Sequence, residues 1–124
     1  MSLLQSVSAI GPSIAEMIAT TKRGLLVTRF NRVDPVKLES TMCRGYTRDG
    51  LWLIENGAIS KAVKNFLFYE DVLAVLNRVD QLGAPQRVFH PTDFMNDYTV
   101  LPMPIIVPPL KIRDFNFTAL SEAV

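Results

Sequence analysis

Thr47 to Ser60 reads TRDGLWLIENGAIS, with Leu51, Trp52, Leu53 and Ile54 in unbroken succession between an Asp49-Gly50 pair and an Asn56-Gly57 pair. Asp-Gly and Asn-Gly accept the positive φ angles of two-residue hairpin loops, so each pair marks a chain reversal. The stretch therefore predicts an antiparallel meander of Thr41 to Arg48, Leu51 to Glu55 and Ala58 to Val63, joined by two tight turns. Side chains alternate along a strand, which sends Leu51 and Leu53 to one face and Trp52 and Ile54 to the other. A strand that is apolar on both faces needs a cover on each side.

One cover is predicted downstream. Glu70 to Leu82 places Val72, Val75, Leu76, Val79 and Leu82 on one helical stripe. Glu70 and Asp71 suit the positive end of the helix dipole, and Gly83 suits the stop. The second face is left to the remaining strands, curling into a partial barrel, or to a domain outside this chain.

Upstream, Ser13-Ile-Ala-Glu16 fits a capping box opening a helix of two turns that Gly24 stops. Leu25 to Phe30 (LLVTRF) has strand character, and Asn31 to Ser40 reads as a polar connection turning at Asp34-Pro35. Ala84 to Thr99 reads as a long loop. Val100 to Pro109 carries four prolines and is extended, and Leu110 to Thr118 is a strand with a bulge near Arg113-Asp114. The fold class is α+β: a mainly antiparallel β meander or partial barrel, with a short N-terminal helix and one amphipathic helix packed on the sheet.

The totals fit one domain spanning residues 1–124. The 124-residue chain is 48% hydrophobic and 20% charged, which suits a globular core and excludes wholesale disorder. Its formal net charge of +1 supplies no long-range field for nucleic acid or an anionic membrane. Cys43 is the single cysteine, so no intrachain disulfide forms, and a reducing cytoplasm is the expected compartment. No apolar run reaches the roughly 20 residues of a membrane span.

Catalytic and cofactor motifs are sparse. A protein zinc site takes three or four Cys, His, Asp or Glu ligands, and this sequence has one histidine, His90, with Asp93 nearby. Neither that pair nor Cys43 makes a metal or nucleophile motif, and no glycine-rich phosphate loop occurs. No catalytic residue, metal or cofactor is therefore assigned. Lys22, Arg23, Arg29 and Arg32 interleave with Phe30 as in single-stranded nucleic-acid surfaces, but the balanced charge favours ordinary solvated edges. Arg48 and Asp49 flank a turn, where a local ion pair is the simpler reading and partner binding the sharper one. With Arg29 and Trp52 they form the candidate peptide- or partner-binding set.

Three stretches together resemble a known family: TTKRGLLVTRF (Thr20 to Phe30), YTRDGLWLIENGAISKAVKNFLF (Tyr46 to Phe68) and VPPLKIRDFNFT (Val107 to Thr118). They look like the C-terminal domain of TldD/PmbA proteins, peptidase subunits once described as modulators of DNA gyrase. The resemblance implies a cytoplasmic two-subunit peptidase, in which a metal-bearing subunit and a metal-free homologue handle extended or unfolded peptides. It also implies a metal held by a His-Glu-x-x-x-His helix and a cysteine near the C-terminus. This sequence has no such helix motif, and Cys43 lies before the TRDG turn, away from the family's ligand position. The resemblance therefore leads to the expectation that the N-terminal metallopeptidase-like region is absent here, that the chain corresponds to the metal-free PmbA/TldE-like subunit, and that it is not an enzyme on its own.

The expected role is scaffold and subunit interface, through self-association or a TldD-like metal-bearing partner. Edge strands such as Leu25 to Phe30 suit extended peptides by strand addition. The alternative is a free-standing protein- or peptide-binding module, and a small nucleic-acid binder ranks last.

Overall fold

Three antiparallel arms, all bent at the same level, make most of the molecule. The computed structural model describes residues 11–88 and 105–121. The first arm is β1 (Arg23–Val27) followed by β2 (Phe30–Pro35). The second is β3 (Met42–Thr47) and β4 (Leu51–Glu55), and the third is β5 (Ala58–Val63) and β6 (Phe66–Asp71). On one side of the bend β1, β4 and β5 form a three-stranded sheet. On the other, β2, β3 and β6 pair in the same arm order, and β11 (Phe117–Leu120) adds to β6, giving the order β11-β6-β3-β2.

The α+β, mainly antiparallel meander expected from the sequence is what the chain forms, but one of its two expected hairpins is not. Asn56-Gly57 does close the β4–β5 hairpin, with Asn56 at φ 51° and Gly57 at φ 81°. Asp49-Gly50 has positive φ as well, 60° and 115°, yet β3 and β4 do not pair with each other. The pair carries the second arm from one sheet into the other. Leu25 to Phe30 is likewise split at Thr28-Arg29 between β1 and β2, so it is not one edge strand. The turn expected at Asp34-Pro35 falls later, across residues 36–40, and Pro35 closes β2 on the sheet edge, where its missing N–H costs no ladder bond.

The four-stranded sheet carries the aromatic core. β2 holds an extra residue where Arg32 and Val33 together oppose Gly45, and Arg32 takes the left-handed conformation at φ 51°. Gly45 lies directly opposite Phe68, and a Cβ on it would sit 2.8 Å from Phe68 Cζ. The Phe68 ring fills the space over the glycine and meets Phe30 and Phe115 at centroid distances of 4.9 and 5.2 Å. Such offset and edge-on contacts add to the area these rings bury.

Helix α1 (Ile14–Ala19) is capped by Ser13, whose Oγ accepts from the Glu16 N–H at 3.1 Å and donates to Glu16 Oε1. It has the expected length of about two turns, but Gly24 does not stop it: the Thr20 and Thr21 hydroxyls donate to the Met17 carbonyl at its end, and Gly24 lies inside β1. Met17 is buried against Gly83 and Pro109, and the Gly57 N–H donates to the Thr21 carbonyl. The helix is thereby wedged between the β4–β5 turn and the far end of the chain.

The predicted second helix is cut short. Helix α2 covers only Val72–Asn77, capped by the Asp71 carboxylate on the Leu73 N–H. Val79–Leu82 is instead β7, paired with β10 (Leu110–Ile112), and its exposure alternates with period two. The stripe had the helical period, but pairing with β10 satisfies the backbone from Val79 onward and wins. Val72, Leu73 and Leu76 are exposed, so α2 does not serve as the apolar lid over the sheet.

Two further expectations shift in the same region. Leu110 to Thr118 is two strands, separated at Asp114, where φ is 52°. The expected loop after Ala84 begins with β8 (Gln86–Val88), paired with β9 (Ile105–Val107). The rest of that loop, including His90 and Asp93, lies outside the described residues. No helix among those described is long and apolar enough to cross a membrane.

Candidate functional site

The level at which the arms bend gathers the polar chemistry of the molecule. Thr28 Oγ1 donates to the Gly50 carbonyl at 2.7 Å, and the Arg48 N–H donates to the Arg29 carbonyl at 3.0 Å. The Arg29 guanidinium pairs with the Asp49 carboxylate. On the inner side Thr47, 1% exposed, donates to Asn65 Oδ1 at 3.0 Å and accepts from the Phe66 N–H at 3.0 Å. The first two arms are thus tied outside by an ion pair, and the second and third inside by a buried threonine.

Sequence reasoning selected Arg29, Arg48, Asp49 and Trp52, and the structure brings all four to this bend. Arg29 and Asp49 bond to each other. Arg48 uses its backbone in the bend and is one of the residues lining a groove. The Trp52 indole leans over the turn, since a Cβ on Gly50 would lie 3.2 Å from Trp52 Nε1. At 38% exposure Trp52 is only partly covered, whereas Leu51 beside it is 1% exposed. The apolar run therefore has two fates: Leu51 and Ile54 are core, and Trp52 is surface.

The groove beside the bend has a volume of about 450 Å³. Asn31 and Arg32 from β2, Tyr46 and Thr47 from β3, Arg48, Leu67 from β6, and Leu120 and Ser121 at the end of β11 line it. Asn31, Tyr46 and Leu67 are successive cross-strand neighbours, so they share one face of the four-stranded sheet. Sequence reasoning missed this row because pairing of β2 with β3 and β6 links residues far apart in the chain. Arg32 enters the groove from the bulge, and arginine carries no signal for a left-handed backbone.

The suspected nucleic-acid cluster is dispersed. Arg23 stands opposite Glu55, Arg29 pairs with Asp49, and Arg32 lies in the groove. Among the described residues no group of three or more His, Cys, Asp or Glu side chains stands close enough to hold a metal ion. Cys43 is a free, half-buried strand residue whose thiol donates weakly to the Thr41 carbonyl.

A second polar cluster holds the far end of the four-stranded sheet. Buried Glu70 accepts from Arg78 Nη2 at 2.7 Å and from the Asn116 N–H at 2.7 Å. Arg78 also donates to the Arg113 and Asp114 carbonyls. The bond to Glu70 first raises the Arg78 pKa above its ordinary value, against the cost of desolvation. Nearby, the Asp71 carboxyl is held below its usual value by the Thr41 hydroxyl first, against the cost of burial, with the Leu73 and Ala74 N–H groups adding to the depression.

A bent, mainly antiparallel domain with its polar residues spent on tying strands together is a structural class, and comparison with known proteins supplies the family. The family described as PmbA/TldA metallopeptidase C-terminal domain matches residues 5–119, and the chain belongs to it. Among solved structures the chain is similar to TldE from Thermococcus kodakarensis, at 20% identity and a TM-score of 0.61 over 86% of this chain. At that identity the likeness speaks for the fold. The chain spans 21% of the length of that TldE chain. A search of curated proteins finds no match.

Proposed function

We propose that this domain serves a TldD/PmbA-type peptidase as a non-catalytic scaffold and subunit interface, for a complex that processes extended or unfolded peptides. The observation that carries the reading is the family match across residues 5–119. The surface supports it. Trp52, Leu73, Leu76, Leu82 and Ile106 are all exposed, more large apolar side chains than an isolated domain this size gains from leaving in water. The partner is a second copy of this chain or a TldD-like metal-bearing subunit, and the setting is the cytoplasm.

The test is light scattering on the purified chain over a rising concentration series, alone and with a metal-bearing family subunit. Self-association or co-elution with that subunit is the expected outcome. A clean monomer at high concentration that also fails to co-elute would overturn the interface role. The reading would then pass to a free-standing peptide-binding module.

A further inference from the structure

We propose that the groove between Arg32 and Arg48 is a binding site for a carboxylate carried on a small apolar group, the C-terminal end of a peptide chain. The inference goes beyond the scaffold reading and stands on the chemistry of the groove alone.

Among the described residues neither Arg32 nor Arg48 has a carboxylate within ion-pairing distance, whereas Arg29, Arg78 and Arg113 each do. No acidic side chain lines the groove. Two arginines lining one concavity, with no counter-charge among the described residues, favour an anion, and a planar carboxylate matches the paired donors of a guanidinium.

The backbone adds an independent observation. Arg32 occupies the left-handed region at φ 51°, in a bulge where two residues oppose Gly45. A non-glycine residue there is strained, and bulges of this kind re-aim a side chain. Here the bulged residue is the charged one that lines the groove.

The remaining lining sets the class of anion. Leu67 and Leu120 supply apolar surface, which suits an aliphatic side chain next to the carboxylate and does nothing for a bare inorganic ion. Asn31, Tyr46 and Thr47 supply donors and acceptors that suit a peptide unit. A volume of about 450 Å³ admits a few residues of a peptide end.

The experiment is calorimetric titration of the 124-residue chain with N-acetyl-leucyl-leucine as the free acid, with its C-terminal amide, and with inorganic phosphate and a short single-stranded oligonucleotide. The free acid is expected to bind at least about tenfold more tightly than the amide, a difference of about 1.4 kcal/mol. R32Q and R48Q, each checked for an unchanged far-UV spectrum, are expected to weaken the free acid by about threefold or more. Equal binding of acid and amide overturns the proposal, as does no binding up to about 10 mM. Tighter binding of phosphate or oligonucleotide than of the free acid also overturns it and assigns the groove to phosphates. The acid-to-amide comparison needs no variant, so it decides the matter even where a substitution disturbs the bulge.

Discussion

Arg78 Nη2 lies 2.7 Å from the carboxylate of Glu70, joining the end of α2 to the strand that precedes it. Glu70 also receives the Asn116 N–H, and Arg78 reaches the carbonyls of Arg113 and Asp114, so this pair anchors the corner between β10 and β11. Removing Glu70 leaves a backbone donor and a guanidinium short of their acceptor. Glu70→Ala is expected to destabilise the chain by about 2–3 kcal/mol, and Glu70→Gln by less. Urea unfolding midpoints check both, and an unchanged midpoint for Glu70→Ala would show that the corner holds without it.

The ion pair at the bend behaves differently because it sits in water. The Arg29 and Asp49 side chains are 33% and 54% exposed. A double-mutant cycle with Arg29→Ala and Asp49→Ala is expected to give a coupling below about 1 kcal/mol, falling further with added salt. A coupling of several kilocalories would mean that the pair is shielded from water.

Gly45 is fixed by its neighbour across the ladder. A methyl group there meets the Phe68 ring at 2.8 and 2.9 Å and Val33 Cγ2 at 3.2 Å. Phe68 is buried and wedged between Phe30 and Phe115, so the ring has little room to move. Gly45→Ala is expected to cost about 1–3 kcal/mol by overpacking. The double variant Gly45→Ala/Phe68→Leu should recover part of that loss in thermal melts, which a purely conformational role for the glycine would not allow.

Asp71 gives the fold a defined acid sensitivity. Its folded pKa is depressed, first by the Thr41 hydroxyl. A depressed carboxyl contributes stability in full above its unfolded value of about 3.9 and loses it as pH falls through the folded value. The stability gap between the native chain and Asp71→Asn is therefore expected to be constant near neutrality and to shrink below about pH 4. A gap that stays constant through acid would place the contribution in the cap geometry and not in the charge.

The sequence marked the right turns but could not say what each turn joined. Asp49-Gly50 and Asn56-Gly57 carry the same conformational signal, and both residues of each pair adopt positive φ. Only the second closes a hairpin. The difference lies in pairings that reach across the chain, β1 with β4 and β3 with β6, which no local pattern encodes. The same limit explains β7. Val72 to Leu82 has a helical stripe in one dimension, while β10, which draws Val79 to Leu82 into a strand, lies nearly thirty residues on. That Arg29, Arg48, Asp49 and Trp52 lie close to one chain reversal could be read from the sequence, because the turn signal at Asp49-Gly50 sits among them. Arg32 was visible as a charge and invisible as a groove residue, since its bulge follows from registration against Gly45.

The arms that bend together also bear on how the chain finds its structure. β2 and β3 are joined by a short connection, and β1 and β4 continue the same pairing beyond the bend. Zippering from that connection would register both sheets in one pass, with local contacts formed before distant ones. Pulse-labelled hydrogen exchange during refolding is expected to protect Asn31 and Tyr46 before Leu25 and Leu53. The corner at Arg29 and Asp49 is then a milestone on the folding route, and a change there is expected to slow folding more than it speeds unfolding.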